Sequence, residues 1–496
     1  MSSENIPTVA HELMNPAIWG GKMYANGWRE GANRALDVTD KSTDQVLGTI
    51  ANANPAEMRE AGKAALLASR EWARTPAERR AEIVRHAADL LERHKEEISY
   101  WIVRESGSTR MKAYGEIQAS RDILYHSAEL ALRPTTRVLK DDNGMLSYIE
   151  RTPLGVVGVI SPFNYPLALA IRAVAPALAM GNAVILKPDV ATAVSGGIVI
   201  ARLFEEAGLP TGALQVLPGD ADTGVALVED PSVSMISFTG STVAGRKIGA
   251  AAGATLKRVS LELGGKNPFI VLADANVESA AHAGMFGSFF HHGQICMAVG
   301  LHLVHESLID QYTARVAEFA KAIKVGDPYL EAVGLGPINK KQRDNIQAIV
   351  EDAVRTGAEL VEGGTFDNLF YRPTVLKNVS SNSRAFKEEI FGPVAVIVGF
   401  NDESQAIQLA NGTGYGLTAS VFGEIEHAKK VGKQIETGML HINDTTLLGN
   451  REAPFGGFKA SGNGSRMGGD ADLHEFSTWR WTTETRQPIP YEIQAT

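Results

Sequence analysis

Val156-Val157-Gly158-Val159-Ile160-Ser161-Pro162-Phe163-Asn164-Tyr165-Pro166 is the stretch on which the fold turns. Five small or β-branched residues make a short, fully buried strand, and two prolines then fix an extended turn. The 167–179 segment is apolar and helical, and Ala183-Val184-Ile185-Leu186 is the next strand. The pattern continues outward. Residues 195–207 read as a helix, Ala213-Leu214-Gln215-Val216-Leu217 as a third strand and Met235-Ile236-Ser237-Phe238 as a fourth. Strands alternating with helices imply a parallel sheet covered on both faces. A second α/β region comes after Glu262. Pro268-Phe269-Ile270-Val271-Leu272 is strand-like, 276–290 helical and Leu301-His302-Leu303-Val304 strand-like, with further segments to about Asn443. Upstream, residues 55–99 carry apolar positions at helical spacing, clearest in the 81–91 segment. The fold class is therefore α/β, with two parallel sheets.

The chain has 496 residues, too many for one hydrophobic core. A formal net charge of -9 argues against a nucleic-acid or anionic-membrane partner. The single cysteine, Cys296, excludes a disulfide within the chain and fits a reducing, cytoplasmic compartment. The N-terminus has no apolar signal region. The longest apolar stretch, Leu167 to Leu186, is broken by Arg172, Pro176 and Gly181, so it reads as core rather than a membrane span.

Several segments carry chemistry. In Phe238-Thr239-Gly240-Ser241-Thr242-Val243-Ala244-Gly245 a strand runs into a helix start whose free N–H groups can hold a phosphate. On its own the segment reads more readily as a plain β–α turn. The G-x-G-x-x-G fingerprint is present after none of the predicted strands. In Leu261-Glu262-Leu263-Gly264-Gly265-Lys266-Asn267-Pro268 a carboxylate succeeds apolar residues, where a raised pKa suits a general base. In Gly293-Gln294-Ile295-Cys296-Met297 the flanks place the thiol in a loop or at a helix start, where backbone dipoles favour thiolate. Asn164, between its prolines, can donate to an oxyanion or simply close an Asx-turn. Lys187, in Leu186-Lys187-Pro188-Asp189, ends a strand within reach of ribose or phosphate. Glu389 and Phe391, in Glu388-Glu389-Ile390-Phe391-Gly392-Pro393, can hold ribose hydroxyls and cover a flat ring. His291 and His292 are adjacent, which does not suit one metal ion, and no metal is expected.

Taken in this order, SPFNYP, LKP, FTGSTVAG, LELGGKNP, GQICM, EEIFGP and PFGGFKASG resemble the aldehyde dehydrogenase superfamily over nearly the whole chain. The resemblance implies roles by position. Cys296 is the nucleophile, Asn164 with the Cys296 N–H is the oxyanion hole, and Glu262 activates the hydrolytic water. Lys187 and Glu389 are ribose contacts, and Gly240, Ser241 and Gly245 form the pyrophosphate turn. Further cofactor contacts are implied for Ile160, Ser161, Pro162, Phe163, Gly219, Gly224, Phe238, Leu263, Gly264 and Phe391. It also implies a dinucleotide-binding domain over 1–132 and 152–263 and a catalytic domain over 264–453. A small β oligomerisation element, 133–151 with 470–496, makes a homodimer or homotetramer the expected assembly. That element combines a hairpin around Asn143-Gly144 with the alternating strand Thr478-Trp479-Arg480-Trp481-Thr482-Thr483, which ends before Pro488.

One position departs from the pattern. Many NAD-preferring members carry a Glu three residues after the Lys of LKP, and this chain has Val190 there. Without that carboxylate a 2′-phosphate meets less repulsion, so use of both NAD and NADP is expected. The HHGQICMAVGLHLVH, KPDVATAVSGG and HINDTTLLGNREAPFGGFKASGNGSRMGG stretches are most similar to benzaldehyde- and vanillin-type enzymes. Phe163, Tyr165, Ile295, Met297 and Phe455 would then line a flat apolar pocket for an aromatic aldehyde. The alternatives are an aliphatic aldehyde or semialdehyde, or a non-catalytic NAD-binding protein on the same fold.

Overall fold

The computed structural model describes residues 12–142 and 145–487. Two seven-stranded sheets organise it. In the first, strand Val156–Ile160 lies between Met235–Thr239 and Ala183–Lys187, all parallel. Arg258–Glu262 extends one side, and Leu214–Val216 the other. Side chains along these strands alternate between two cores. Val157, Val159, Val184 and Leu186 face one, while Val156, Ile185, Ile236 and Phe238 face the other. Burial on both faces explains the continuous apolar runs.

Helix Pro166–Ala179 comes next after the first strand, with proline at its first position. The region 55–99 forms three helices, Pro55–Trp72, Ala77–Arg93 and Lys95–Ser106. The first starts on a capping box of Asn54 and Glu57. The helix predicted over 195–207 differs at its start. Val194–Ile198 is a π-helical turn, and regular helix runs only over Val199–Glu206. The buried Glu105 carboxylate accepts from Val194 N (3.0 Å) and Ser195 N (2.7 Å), drawing this start towards another helix. Strands Lys22–Tyr24 and Trp28–Glu30 complete the sheet edge. Three residues are too few to show periodicity in sequence.

The second sheet is centred on Asn267–Val271, Val299–His305 and Val394–Phe400, again parallel. Its core alternates likewise, with Ile270, Leu272, Leu301 and Leu303 on one face and Phe269, Val271 and Val304 on the other. A three-stranded antiparallel sheet stands apart. Ser477–Thr485 pairs with Met145–Pro153, which pairs with Thr136–Asp142. Trp479 and Trp481 are 47% and 69% exposed on it. The Asn143-Gly144 turn and Pro488 lie outside the described residues. Among the described residues no helix is long and apolar enough to cross a membrane.

Asn182, fully buried, ties these parts together. Its Oδ1 accepts from Leu154 N (2.7 Å) and Gly155 N (3.1 Å). Its Nδ2 donates to Ala177 O (3.0 Å) and Phe476 O (2.8 Å). Asn182→Ala leaves two buried and two part-buried backbone groups without this partner, at a cost on the order of 3 kcal/mol. Thermal unfolding is expected to show a melting point several degrees lower, and an unchanged one contradicts the assignment.

Candidate active site

Ile160, Lys187, Thr239 and Glu262 stand at the carboxyl ends of adjacent parallel strands. In open α/β sheets, ligands bind at this edge. Gly240 N donates to Glu262 O at 3.0 Å, closing the turn after the Met235–Thr239 strand. Ser241 then caps helix Thr242–Ala254 by accepting from Ala244 N. Gly245, in the first turn, lets the helix close on Leu263, because a Cβ there would come 2.4 Å from Leu263 Cδ2. Gly264 serves the same purpose for Glu389, whose Oε2 would lie 2.2 Å from such a Cβ.

The polar groups at this edge fit a nucleotide. Lys187 is buried, and among the described residues its Nζ donates only to the carbonyl of the adjacent Pro188, at 3.3 Å. Burial pulls its pKa down. Ser161 Oγ is buried with no protein partner among the described residues. Glu389 spends one oxygen on Gly265 N (3.1 Å), and burial pushes its carboxyl up to about 7. Gly224 packs along the Lys187 stem. Gly219 lies against Thr223, two strands along the same edge. Val190 is exposed, and Asp189 Oδ1 is occupied by Ala191 N at 2.9 Å.

The nucleophile segment comes from the second sheet. Helix Val277–Phe289 ends in a turn where His291, His292 and Gly293 all take positive φ. Two consecutive histidines in that region mark a backbone held by its surroundings. Asn267 fastens the turn that carries the thiol, donating from Nδ2 to Cys296 O (2.8 Å) and Ala298 O (2.7 Å). Asn164 reaches across from the first sheet and donates from Nδ2 to Gln294 O at 2.8 Å. His291 Nε2 returns the link to Asn164 O at 2.8 Å. Burial and the nearby Lys112 ammonium keep that imidazole neutral.

Cys296 is half-buried in a turn, not at a helix start. The surroundings work against the thiolate that backbone dipoles can favour. Burial pushes the thiol up to about 12, the Glu389 and Glu262 carboxylates add to the rise, and Arg172 opposes it. Glu262 is 5% exposed. Neither of its carboxyl oxygens has a hydrogen-bond partner among the described residues. Burial raises it to about 8, against the pull of Arg172 and Arg466. Neither guanidinium is among the site residues expected from sequence. Arg172 lies 4.1 Å over the Phe455 ring. Its only signal in sequence is a lone charge in the apolar helix PLALAIRAVAPALA.

Two of the five expected pocket residues, Phe163 and Ile295, sit beside Phe391. Phe163 packs edge-on to Phe391, with centroids 6.0 Å apart. Ile295 lines a cavity of about 20 Å³ with Gly265, Lys266, Glu389 and Phe391. These two thus face residues expected to hold the cofactor. Tyr165 packs on His291 at 5.4 Å, Phe455 under Arg172, and Met297 is half-buried beside the thiol.

Residues 28–482 match the aldehyde dehydrogenase family. A vanillin dehydrogenase from an Amycolatopsis species is 46% identical over 94% of this chain and 96% of its own. A benzaldehyde dehydrogenase [NAD(+)] from Pseudomonas putida is 44% identical over 97% and 99%. Among solved structures, a betaine aldehyde dehydrogenase from Staphylococcus aureus in complex with NAD+ superposes with a TM-score of 0.92, at 31% identity and 98% coverage of both chains. A family match across most of the chain, relatives above 40% identity and a thiol, carboxyl and amide gathered where two sheets meet lead to one statement: this chain belongs to the aldehyde dehydrogenase family.

Proposed function

We propose that the chain oxidises an aromatic aldehyde to its carboxylic acid with NAD or NADP. The observation that carries this reading is the buried Glu262 carboxyl, without a partner among the described residues, beside a thiol that shares its surroundings. Burying a carboxyl unpaired is costly, and proton transfer is a use that needs it free.

With its pKa raised, the thiol loses its proton as the C–S bond forms, and the ionised Glu262 takes it. The sulfur adds to the carbonyl carbon, and the oxygen becomes an oxyanion held by Asn164 Nδ2 and the Cys296 N–H. Lys187, Ser161, Glu389 and the 240–245 turn would hold the dinucleotide, which supplies the hydride acceptor when bound. At the thioester level Glu262, having given the thiol proton to solvent, takes a proton from water, the water oxygen bonds to the carbonyl carbon, and the C–S bond breaks as that proton passes to the sulfur, releasing the acid. The proposed division gives 1–132 and 152–263 to the dinucleotide, 264–453 to catalysis, and 133–151 with 470–496 to assembly.

The aromatic assignment draws support from the vanillin and benzaldehyde relatives and from Tyr165 and Phe455 beside the site. Use of NADP draws support from Val190, which offers no charge to a 2′-phosphate. A reducing, cytoplasmic setting suits a nucleophilic thiol.

An aldehyde panel run with each cofactor is expected to favour benzaldehydes. Cys296→Ala loses all oxidation, whereas Glu262→Gln keeps a slowed single turnover of hydride transfer and stalls at the acyl-enzyme. Equal or better turnover of short aliphatic aldehydes contradicts the substrate class, and NADP efficiency below about one thousandth of NAD contradicts the cofactor reading. The raised Glu262 pKa also has a sign in stability. The folded state holds that proton more tightly than the unfolded chain, so ionisation destabilises the fold progressively from about 4.5 to about 8. The melting-point advantage of Glu262→Gln over wild type should therefore grow through that window and level off above it, and a pH-independent difference contradicts the shift. The exposed Trp479 and Trp481 call for a second subunit, so light scattering should give a dimer or tetramer. A particle of 53.1 kDa alone excludes this.

A further inference from the structure

Helix Arg110–Ala131 contains an ion pair with no part in the proposed reaction. Lys112 and Glu116 meet at 2.5 Å with both side chains fully buried. Replacing such a pair by apolar residues is often neutral or stabilising, so stability alone does not explain its presence. Its contacts lead to the active site. Glu116 Oε2 takes the Lys112 ammonium. Oε1 accepts from Leu167 N (2.9 Å) and Ala168 N (3.1 Å), the first free amides of helix Pro166–Ala179. That helix has no side-chain cap of its own, since its N-cap residue is Tyr165. A carboxylate 51 residues away therefore supplies the cap. The Lys112 Nζ also sits 4.2 Å over the Tyr165 ring. Tyr165 in turn packs on His291, which donates to the Asn164 carbonyl. Asn164 is the residue just before this start.

We propose that Lys112 and Glu116 are positioning residues that fix the start of helix Pro166–Ala179 and thereby hold the Asn164 amide where the oxyanion develops. The charge pair is needed because one carboxylate must meet two amides and remain neutralised. The ammonium both balances it and presses on the adjacent ring. An apolar substitute fills the volume without either contact. A shift of about 1 Å in a catalytic donor costs on the order of 100-fold.

This rests on the oxyanion role given to Asn164, so Asn164→Ala is the control. The variants are Lys112→Met, Glu116→Gln and the apolar double variant Lys112→Met/Glu116→Leu, which leaves no unpaired charge and protects the test against loss of folding. The readouts are the rate constant of the first-turnover NADH burst, the isotope effect with aldehyde deuterated at the carbonyl carbon, cofactor affinity by fluorescence and the melting temperature. The double variant is expected to fold and bind NAD within twofold of wild type. Its burst rate should fall at least tenfold, with a larger isotope effect, as in Asn164→Ala. A double variant whose burst keeps the wild-type rate constant, at full or reduced amplitude, overturns the proposal while leaving the Asn164 role intact. An Asn164→Ala enzyme with a wild-type burst overturns both.

Discussion

The 2.8 Å hydrogen bond from Asn164 Nδ2 to Gln294 O is the contact on which the site depends. Asn164 lies just beyond a strand of the first sheet, and Gln294 precedes a strand of the second, 130 residues later. Neither sheet alone contains a reactive centre. The first presents a carboxyl, Glu262, and an amide; the second presents a thiol. The return bond from His291 to Asn164 O, and the two donated by Asn267, hold the nucleophile turn from opposite sides. Three successive positive φ angles at 291–293 are tolerated because those bonds over-determine the backbone.

The second constraint is the dryness of this seam. Two guanidiniums, Arg172 and Arg466, pull the Glu262 pKa down, yet it stands at about 8. Burial therefore outweighs both cations, as it can when a group is almost fully removed from water. The same balance holds the Cys296 thiol neutral at rest, with Arg172 as the opposing charge. On the nucleotide side, Lys266 Nζ is buried without a hydrogen-bond partner among the described residues, behind Glu389, and burial brings it down to about 7. Two carboxyls, Glu262 and Glu389, and one ammonium, Lys266, are thus brought towards neutral affinities by one cause.

Much of this is legible in sequence where signals are local. The strands at 156–160, 183–187 and 235–239 announce themselves by continuous apolar runs, because each is buried on both faces. Cys296, Glu262, Asn164, Lys187 and Glu389 sit in short motifs whose order along the chain is specific. The illegible part is long-range. Arg172 looks like an interruption in an apolar helix until Phe455 is seen under it. Glu116 looks like one more helical carboxylate until it caps a helix 51 residues away. The backbone flanking the thiol points to thiolate, but burial is a tertiary property and it sets the sign. The two three-residue strands at 22–24 and 28–30 are too short to show a repeating pattern.

The central claim is that the sulfur of Cys296 carries the substrate as a thioester. The most direct measurement is intact-protein mass after acid quench during the first turnover of a benzaldehyde with NAD, together with peptide mapping. The account predicts one acyl increment per chain, located on the peptide containing Cys296 and removed by hydroxylamine. Acid product forming with no such adduct, or with the adduct on another residue, contradicts it.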